Sequence, residues 1–204
     1  MSEPIAEFEL RASSNRASVD RTDGRRIRGQ AIVFNSLSRI MMHNRIGKFR
    51  EVIRPEAVDR TLRQGSSVKA LWNHNDDLVL GNTRSGTLIL RKTSTALAIE
   101  IDPPSWAESY LETIQRGDVD GMSFRFRSDA DGEEWDPHTK DGIPIRTITD
   151  MEFTEISVTP FPVYEATNVQ MSQRSLDLFA KVQAETMGRS VDWWQKWHRT
   201  QLAR

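Results

Sequence analysis

Between about Arg26 and Tyr164 the apolar residues arrive in short bursts separated by turn formers. Ile27 to Phe34, Phe49 to Ile53, Val68 to Trp72, Leu78 to Gly81, Thr87 to Arg91 and Ala96 to Ile101 have the length and composition of strands. Leu97, Ile99 and Ile101 alternate with Ala98 and Glu100, the period of a strand with one buried face. Met122 to Arg127, Ile145 to Phe153 and Ile156 to Val158 extend the series. Closely spaced short strands predict a mainly β, α+β domain, a barrel or sandwich rather than a parallel α/β sheet.

Two helical stretches interrupt the strands. Pro55 opens the first, with Val58 and Leu62 four apart and Gly65 beyond its end. In the second, Ser105 and Glu108 have capping-box spacing, Trp106, Tyr110, Leu111 and Ile114 share a face, and Gly117 closes the helix. After Tyr164 the period changes to that of a helix through Leu176, Phe179, Ala180, Ala184 and Met187. Gly188 and Ser190 then break the chain before Trp193, Trp194 and Trp197. The pattern divides the chain into a basic flexible leader (1–25), a β domain (26–170) and a C-terminal helical appendage (171–204) that buries its aromatic face on the domain or on a partner.

Charge sharpens this division. The formal net charge of -1 averages a 1–50 segment with ten basic and five acidic residues and a 100–136 segment with three basic and eleven acidic ones. Both blocks read first as solvated surface. With no strong basic excess, a nucleic-acid coat is disfavoured; a binding module built on Arg25, Arg26, Arg28, Arg39 and Arg45 would lack interleaved aromatics. No apolar run approaches the ~20 residues that span a bilayer, and Met1 to Leu10 holds three Glu and no signal-peptide core. Zero cysteines exclude disulfides, thiol nucleophiles and Cys-ligated metals, and the four histidines form no i, i+4 pair. Neither metal nor cofactor is expected, and any nucleophile must be an oxygen or an amine.

Three segments carry candidate chemistry. In Met122-Ser123-Phe124-Arg125-Phe126-Arg127, strand alternation turns Met122, Phe124 and Phe126 to the core and Ser123, Arg125 and Arg127 to the opposite face. Ser123 is then either a surface serine or a presented hydroxyl. His74, in Leu71-Trp72-Asn73-His74-Asn75, ends an apolar strand, and it is the histidine flanked by core-like strands, unlike His43, His138 and His198. It reads as a turn residue or as a general base. Glu152 and Glu155 stand among apolar strand residues and need donors, an imidazolium or a Lys or Arg.

The chain from about Gly29 to Tyr164 resembles the prohead (capsid-maturation) serine protease family of tailed bacteriophages, itself similar in fold to herpesvirus assemblin. The matching blocks, in order, begin with Gly29-Gln30-Ala31-Ile32-Val33-Phe34, then Phe49-Arg50-Glu51-Val52-Ile53 with Pro55-Glu56-Ala57, then Leu71-Trp72-Asn73-His74-Asn75. Leu80-Gly81-Asn82-Thr83 with Ser85-Gly86-Thr87-Leu88, Gly117-Asp118-Val119-Asp120-Gly121-Met122-Ser123-Phe124, and Glu155-Ile156-Ser157-Val158 with Phe161-Pro162 complete them. The resemblance implies a closed β-barrel of mostly antiparallel strands flanked by helices. It implies a nucleophile at Ser123, a base at His74 and a carboxylate at Glu155, with Glu152 the alternative; a bulge between the two would exchange their faces. It also implies cleavage of the scaffolding segment of the major capsid protein and of the protease itself, inside the assembling procapsid in the host cytoplasm. The procapsid shell or portal and a homodimer are the remaining implied contacts, with no membrane and no specific nucleic acid. A catalytically silent β-barrel scaffold is the competing expectation. Oxyanion donors are sought near Thr159-Pro160 or in water held by Arg125.

Overall fold

The computed structural model describes residues 8–13, 17–20, 25–137, 139–161 and 171–188. Strands β1 (Glu9–Ser13), β2 (Ser18–Val19), β3 (Ile27–Val33), β4 (Met41–His43) and β5 (Gly47–Ile53) come first. A 3-10 turn opened by Pro55 then leads into α1 (Asp59–Gln64), which Gly65 ends at φ +60°. Next come β6 (Lys69–Trp72), β7 (Asn75–Asn82), β8 (Leu88–Lys92), β9 (Ala96–Ile101) and α2 (Glu108–Arg116). The series closes with β10 (Gly121–Arg127), β11 (Glu133–Asp136), β12 (Ile145–Ile148), β13 (Glu152–Thr159) and α3 (Gln173–Thr186).

The architecture is α+β. One sheet has the order β1-β10-β13-β6-β7, a second β11-β12-β5-β4 and a third β2-β3-β9-β8. Each is open among the described residues, so the expected closed barrel is not formed as one continuous ladder. Part of the reason lies at residues 149–151. Ile145 to Phe153 reads as one strand in sequence, but the amides of Thr149 and Asp150 bond to the Gly132 carbonyl and that of Met151 to the Ala57 carbonyl. The chain leaves the second sheet as β12 and enters the first as β13. Gly132 permits this corner, since a Cβ there would lie 2.4 Å from the Asp150 carbonyl oxygen. Pairing is antiparallel except for β12 with β5 and β13 with β6.

Alternation places the core as expected: Leu97, Ile99 and Ile101 are buried with Met122, Phe124, Phe126, Phe153, Ile156 and Val158. The capping box at Ser105 is not formed. Ser105 lies in a 3-10 turn, α2 begins only at Glu108, and no side chain caps either segment, so Glu108 cannot occupy the third helical position. Leu111 and Ile114 are buried, and Gly117 ends α2 in the left-handed region.

The terminal segments join the fold. β1 pairs with β10 from Glu9 opposite Phe126 to Ser13 opposite Met122, and β2 pairs with β3. The leader expected at 1–25 therefore contributes two strands, because an alternating Glu-Leu-Arg run pairs as well as an apolar one when its charges find partners. α3 starts at Ser172, whose hydroxyl accepts the Ser175 amide. Its Leu176, Phe179, Ala180 and Ala184 build a second core with Met41, Phe49 and Trp135, the Trp135 and Phe179 rings standing 4.7 Å apart. The α3 part of the appendage thus docks on its own domain, while Pro162 to Tyr164, Ser190, Trp193, Trp194 and Trp197 lie outside the described residues. Among those described, no helix is long and apolar enough to cross a membrane.

A buried ion cluster ties these parts together. Arg146 of β12, fully buried, donates to Glu9 of β1 (2.6 and 3.0 Å), Glu51 of β5 (3.0 Å), Glu133 of β11 (2.5 Å) and the Ser175 hydroxyl (2.8 Å). Arg11 donates to Glu51 (2.8 and 3.1 Å) and Glu9 (2.7 Å), and the Ser172 amide also reaches Glu9. Burial alone would raise the Glu9 pKa, but Arg146 and Arg11 outweigh it and hold it at about 2. At Glu133 burial wins over Arg146 and pushes the carboxyl upward. Three carboxylates and two guanidiniums approach charge balance as Glu133 moves toward its neutral form.

Candidate active site

Three adjacent elements of the first sheet meet at the site. Ser123 stands on β10, directly opposite Ser157 of β13, and its strand neighbours Met122 and Phe124 are buried in the core as alternation requires. The face expected to be open is covered: Ser123 is 0 % exposed. β1 lies beside it, and the Ser123 hydroxyl donates to the backbone carbonyl of Arg11 at 2.8 Å.

His74 is delivered by the tight hairpin between β6 and β7. Trp72 pairs with Asn75, leaving Asn73 (φ +50°) and His74 (φ +58°) as the two central residues, both left-handed. Two consecutive positive φ values are the signature of a type I′ turn, which favours Asn then Gly. Histidine at the second position costs about 1–2 kcal/mol of backbone strain. The turn is held to β13 by the Asn73 amide on the Val158 carbonyl (2.8 Å), the His74 amide on the Ser157 hydroxyl (3.1 Å) and the Thr159 hydroxyl on the Asn73 side chain (2.9 Å).

Glu155 stands on β13, which pairs with β10 on one side and β6 on the other. Arg125 pairs with Glu155 but Phe126 with Phe153, so Thr154 is the extra residue of a bulge. That bulge separates the two acids. Glu152 pairs with Arg127 across the strands and its carboxylate takes the Arg127 guanidinium. Glu155 turns to the histidine, its Oε1 lying 2.7 Å from Nδ1, while Nε2 lies 2.9 Å from the Ser123 Oγ. Ser123, His74 and Glu155 thus form one hydrogen-bonded chain, and Glu152 is not part of it.

Ser157 and Arg125 complete the surroundings. The Ser157 hydroxyl donates to the same Glu155 Oε1 that faces His74, and Arg125 Nε lies 3.1 Å from Oε2. Burial would raise the Glu155 pKa, but the His74 and Ser157 hydrogen bonds and the charges of His74 and Arg125 outweigh it and lower the carboxyl below its ordinary value. An ionised carboxylate on Nδ1 fixes the imidazole tautomer that leaves Nε2 free to take a proton. Ser157 and the left-handed turn escape sequence reading. The signal for Ser157 is its i+2 spacing from Glu155, which puts both on one strand face. Arg125, expected to hold a water, lies against Glu155 through its Nε. His43 lies away on β4, its Nδ1 accepting the Arg45 amide, and His138 and His198 are outside the described residues.

No curated protein and no solved structure matches the chain. The family model described as caudovirus prohead serine protease matches residues 11–182, which takes in all three site elements, the β1 residues from Arg11 onward and most of α3. With its matched span running from β1 to α3, the chain belongs to the caudovirus prohead serine protease family, the hydrolases of phage capsid maturation.

Proposed function

We propose that the chain is a serine endopeptidase with Ser123 as nucleophile, His74 as general base and Glu155 as its orienting carboxylate. It cleaves the scaffolding segment of the major capsid protein, and itself, inside the assembling procapsid. The supporting observation is the unbroken chain from Glu155 Oε1 to His74 Nδ1 and from His74 Nε2 to Ser123 Oγ, at 2.7 and 2.9 Å. His74 takes the Ser123 proton as Oγ attacks the scissile carbonyl, then gives it to the leaving amine. Glu155 stabilises the imidazolium formed in between, and Ser157 and Arg125 hold Glu155 in place.

Co-expression with the capsid protein tests this. Intact masses are followed over time for the native chain and for Ser123→Ala. Loss of the scaffolding segment with the native chain alone is the expected result; equal processing by Ser123→Ala removes Ser123 from the mechanism. A silent assembly scaffold draws on the complete burial of Ser123. It requires that the native chain leave the capsid protein intact.

A further inference from the structure

Resting on Ser123 as the nucleophile, the geometry points to β1 as a displaceable resident of the substrate track. The edge of β10 from Met122 to Phe126 binds the scissile peptide as an extended strand, in place of β1 and in its register. β1 is the outermost strand of its sheet, and among the described residues β10 is its one ladder partner. Without it, β10 would offer a bare backbone edge running past Ser123, the template an extended peptide pairs with. With it, nothing can reach the hydroxyl, which is 0 % exposed.

The proton arrangement agrees. The Ser123 hydroxyl has one hydrogen, and it is given to the Arg11 carbonyl at 2.8 Å. That leaves none for His74 Nε2, 2.9 Å from Oγ, so the β1 carbonyl competes with the base for the proton. Removing β1 frees the hydroxyl to donate to Nε2. A substrate in the same register places a peptide carbonyl where that of Arg11 now stands.

The same register sets a preference. Glu9 and Arg11 point into the buried cluster, where Arg11 neutralises Glu51 and Glu9 neutralises Arg146. A peptide replacing β1 leaves Glu51, Glu133 and Arg146 buried, and burying a charge without its partner is costly. The preferred occupant therefore repeats the pattern acidic, any, basic, with the basic residue contributing the carbonyl that meets Ser123.

The absence of native cysteine allows a clean lock. The Arg127 guanidinium stands over the Phe8 ring, both outside the catalytic chain, so Phe8→Cys with Arg127→Cys in the full chain can tie β1 to β10. Two probes are used: a fluorophosphonate, with the labelled residue located by mass spectrometry, and a biotinylated peptide copying residues 6–16. Reduced protein is expected to label at Ser123 and capture the peptide, and oxidised protein to do both at least tenfold less. A peptide with Glu9→Ala and Arg11→Ala should be captured at least tenfold more weakly. Loosening the strand in the full chain by Glu9→Gln with Arg11→Gln should speed labelling. Equal labelling of locked and unlocked forms, or no redox-dependent capture, overturns the inference while leaving the protease reading intact. Redox-dependent capture with no labelling in either form supports the edge site and removes Ser123 as the nucleophile.

Discussion

Replacing Glu155 by glutamine changes one atom of the carboxylate, yet the surroundings leave the new amide no good orientation. Oε1 receives two donors, the His74 Nδ1–H and the Ser157 hydroxyl, while Oε2 faces the Arg125 Nε at 3.1 Å. With its oxygen toward His74, the amide points its NH2 at the guanidinium. With the NH2 toward His74, Nδ1 must become the acceptor and Nε2 carries the proton, so the base can no longer accept from Ser123. Wrong-tautomer variants of such triads lose on the order of 10⁴ in kcat. Relieving the donor conflict is worth about 1–3 kcal/mol, which is on the order of ten- to a hundredfold in rate at about 1.4 kcal/mol per factor of ten. Arg125→Met should therefore partly rescue Glu155→Gln, although alone it slows the enzyme. The assay is the second-order rate of fluorophosphonate labelling for the four members of the cycle, with ¹⁵N shifts of the His74 ring reporting the tautomer. If the two substitutions simply multiply, or if Glu155→Gln costs less than about tenfold, Glu155 does not set the tautomer.

The remaining expectations concern the turn and the buried charges. His74→Gly and His74→Ala should both be inactive, but the alanine variant should be less stable by about 1 kcal/mol because it must hold φ near +58°; equal urea midpoints would show that the turn imposes no strain. Arg146→Met leaves Glu9 and Glu51 sharing Arg11 and Glu133 with no guanidinium and should cost about 3–5 kcal/mol, a fall in Tm on the order of 10 °C for a chain this size, and a drop under about 3 °C would refute the role given to the cluster. Glu9, held at about 2 against an ordinary 4.5, contributes stability that is full above about 4.5 and lost as pH falls toward 2. That contribution is about 3 kcal/mol, so Glu9→Gln should flatten the acid limb of a urea-midpoint profile. Glu133 has the opposite sign, its contribution falling as pH rises through its raised value, so Glu133→Gln should cost less at neutral pH than Glu9→Gln.

The sequence reveals those parts of the fold where burial and periodicity agree. Leu97, Ile99 and Ile101, or Met122, Phe124 and Phe126, announce strand and face together. β1 and β11 are hidden by the same physics that makes them unusual. Glu9, Arg11 and Glu133 point inward, where partners that are mostly distant in sequence, Arg146 and Glu51, neutralise their charge, and no local pattern records those partners. The Ile145 to Phe153 stretch is apolar enough to read as one strand, and only the long-range amide bonds at residues 149–151 divide it. At the site, residue types and motif blocks mark Ser123, His74 and Glu155. The choice between Glu152 and Glu155 turns on the bulge at Thr154, a two-strand property. The cover over Ser123 was not legible, because it depends on where β1 goes.

Chain order in the first sheet has a consequence during synthesis. β10 and β6 share no ladder; β13 lies between them and is the last strand to be made among the described residues. A nascent chain that ends before Glu152 already contains the serine and the histidine, yet it lacks the strip of backbone that would set them side by side. The serine and histidine therefore exist together without a site while the chain between Ser123 and the end of β13 is being made. Under the proposed mechanism, topology spares polypeptides still leaving the ribosome before any cover is needed.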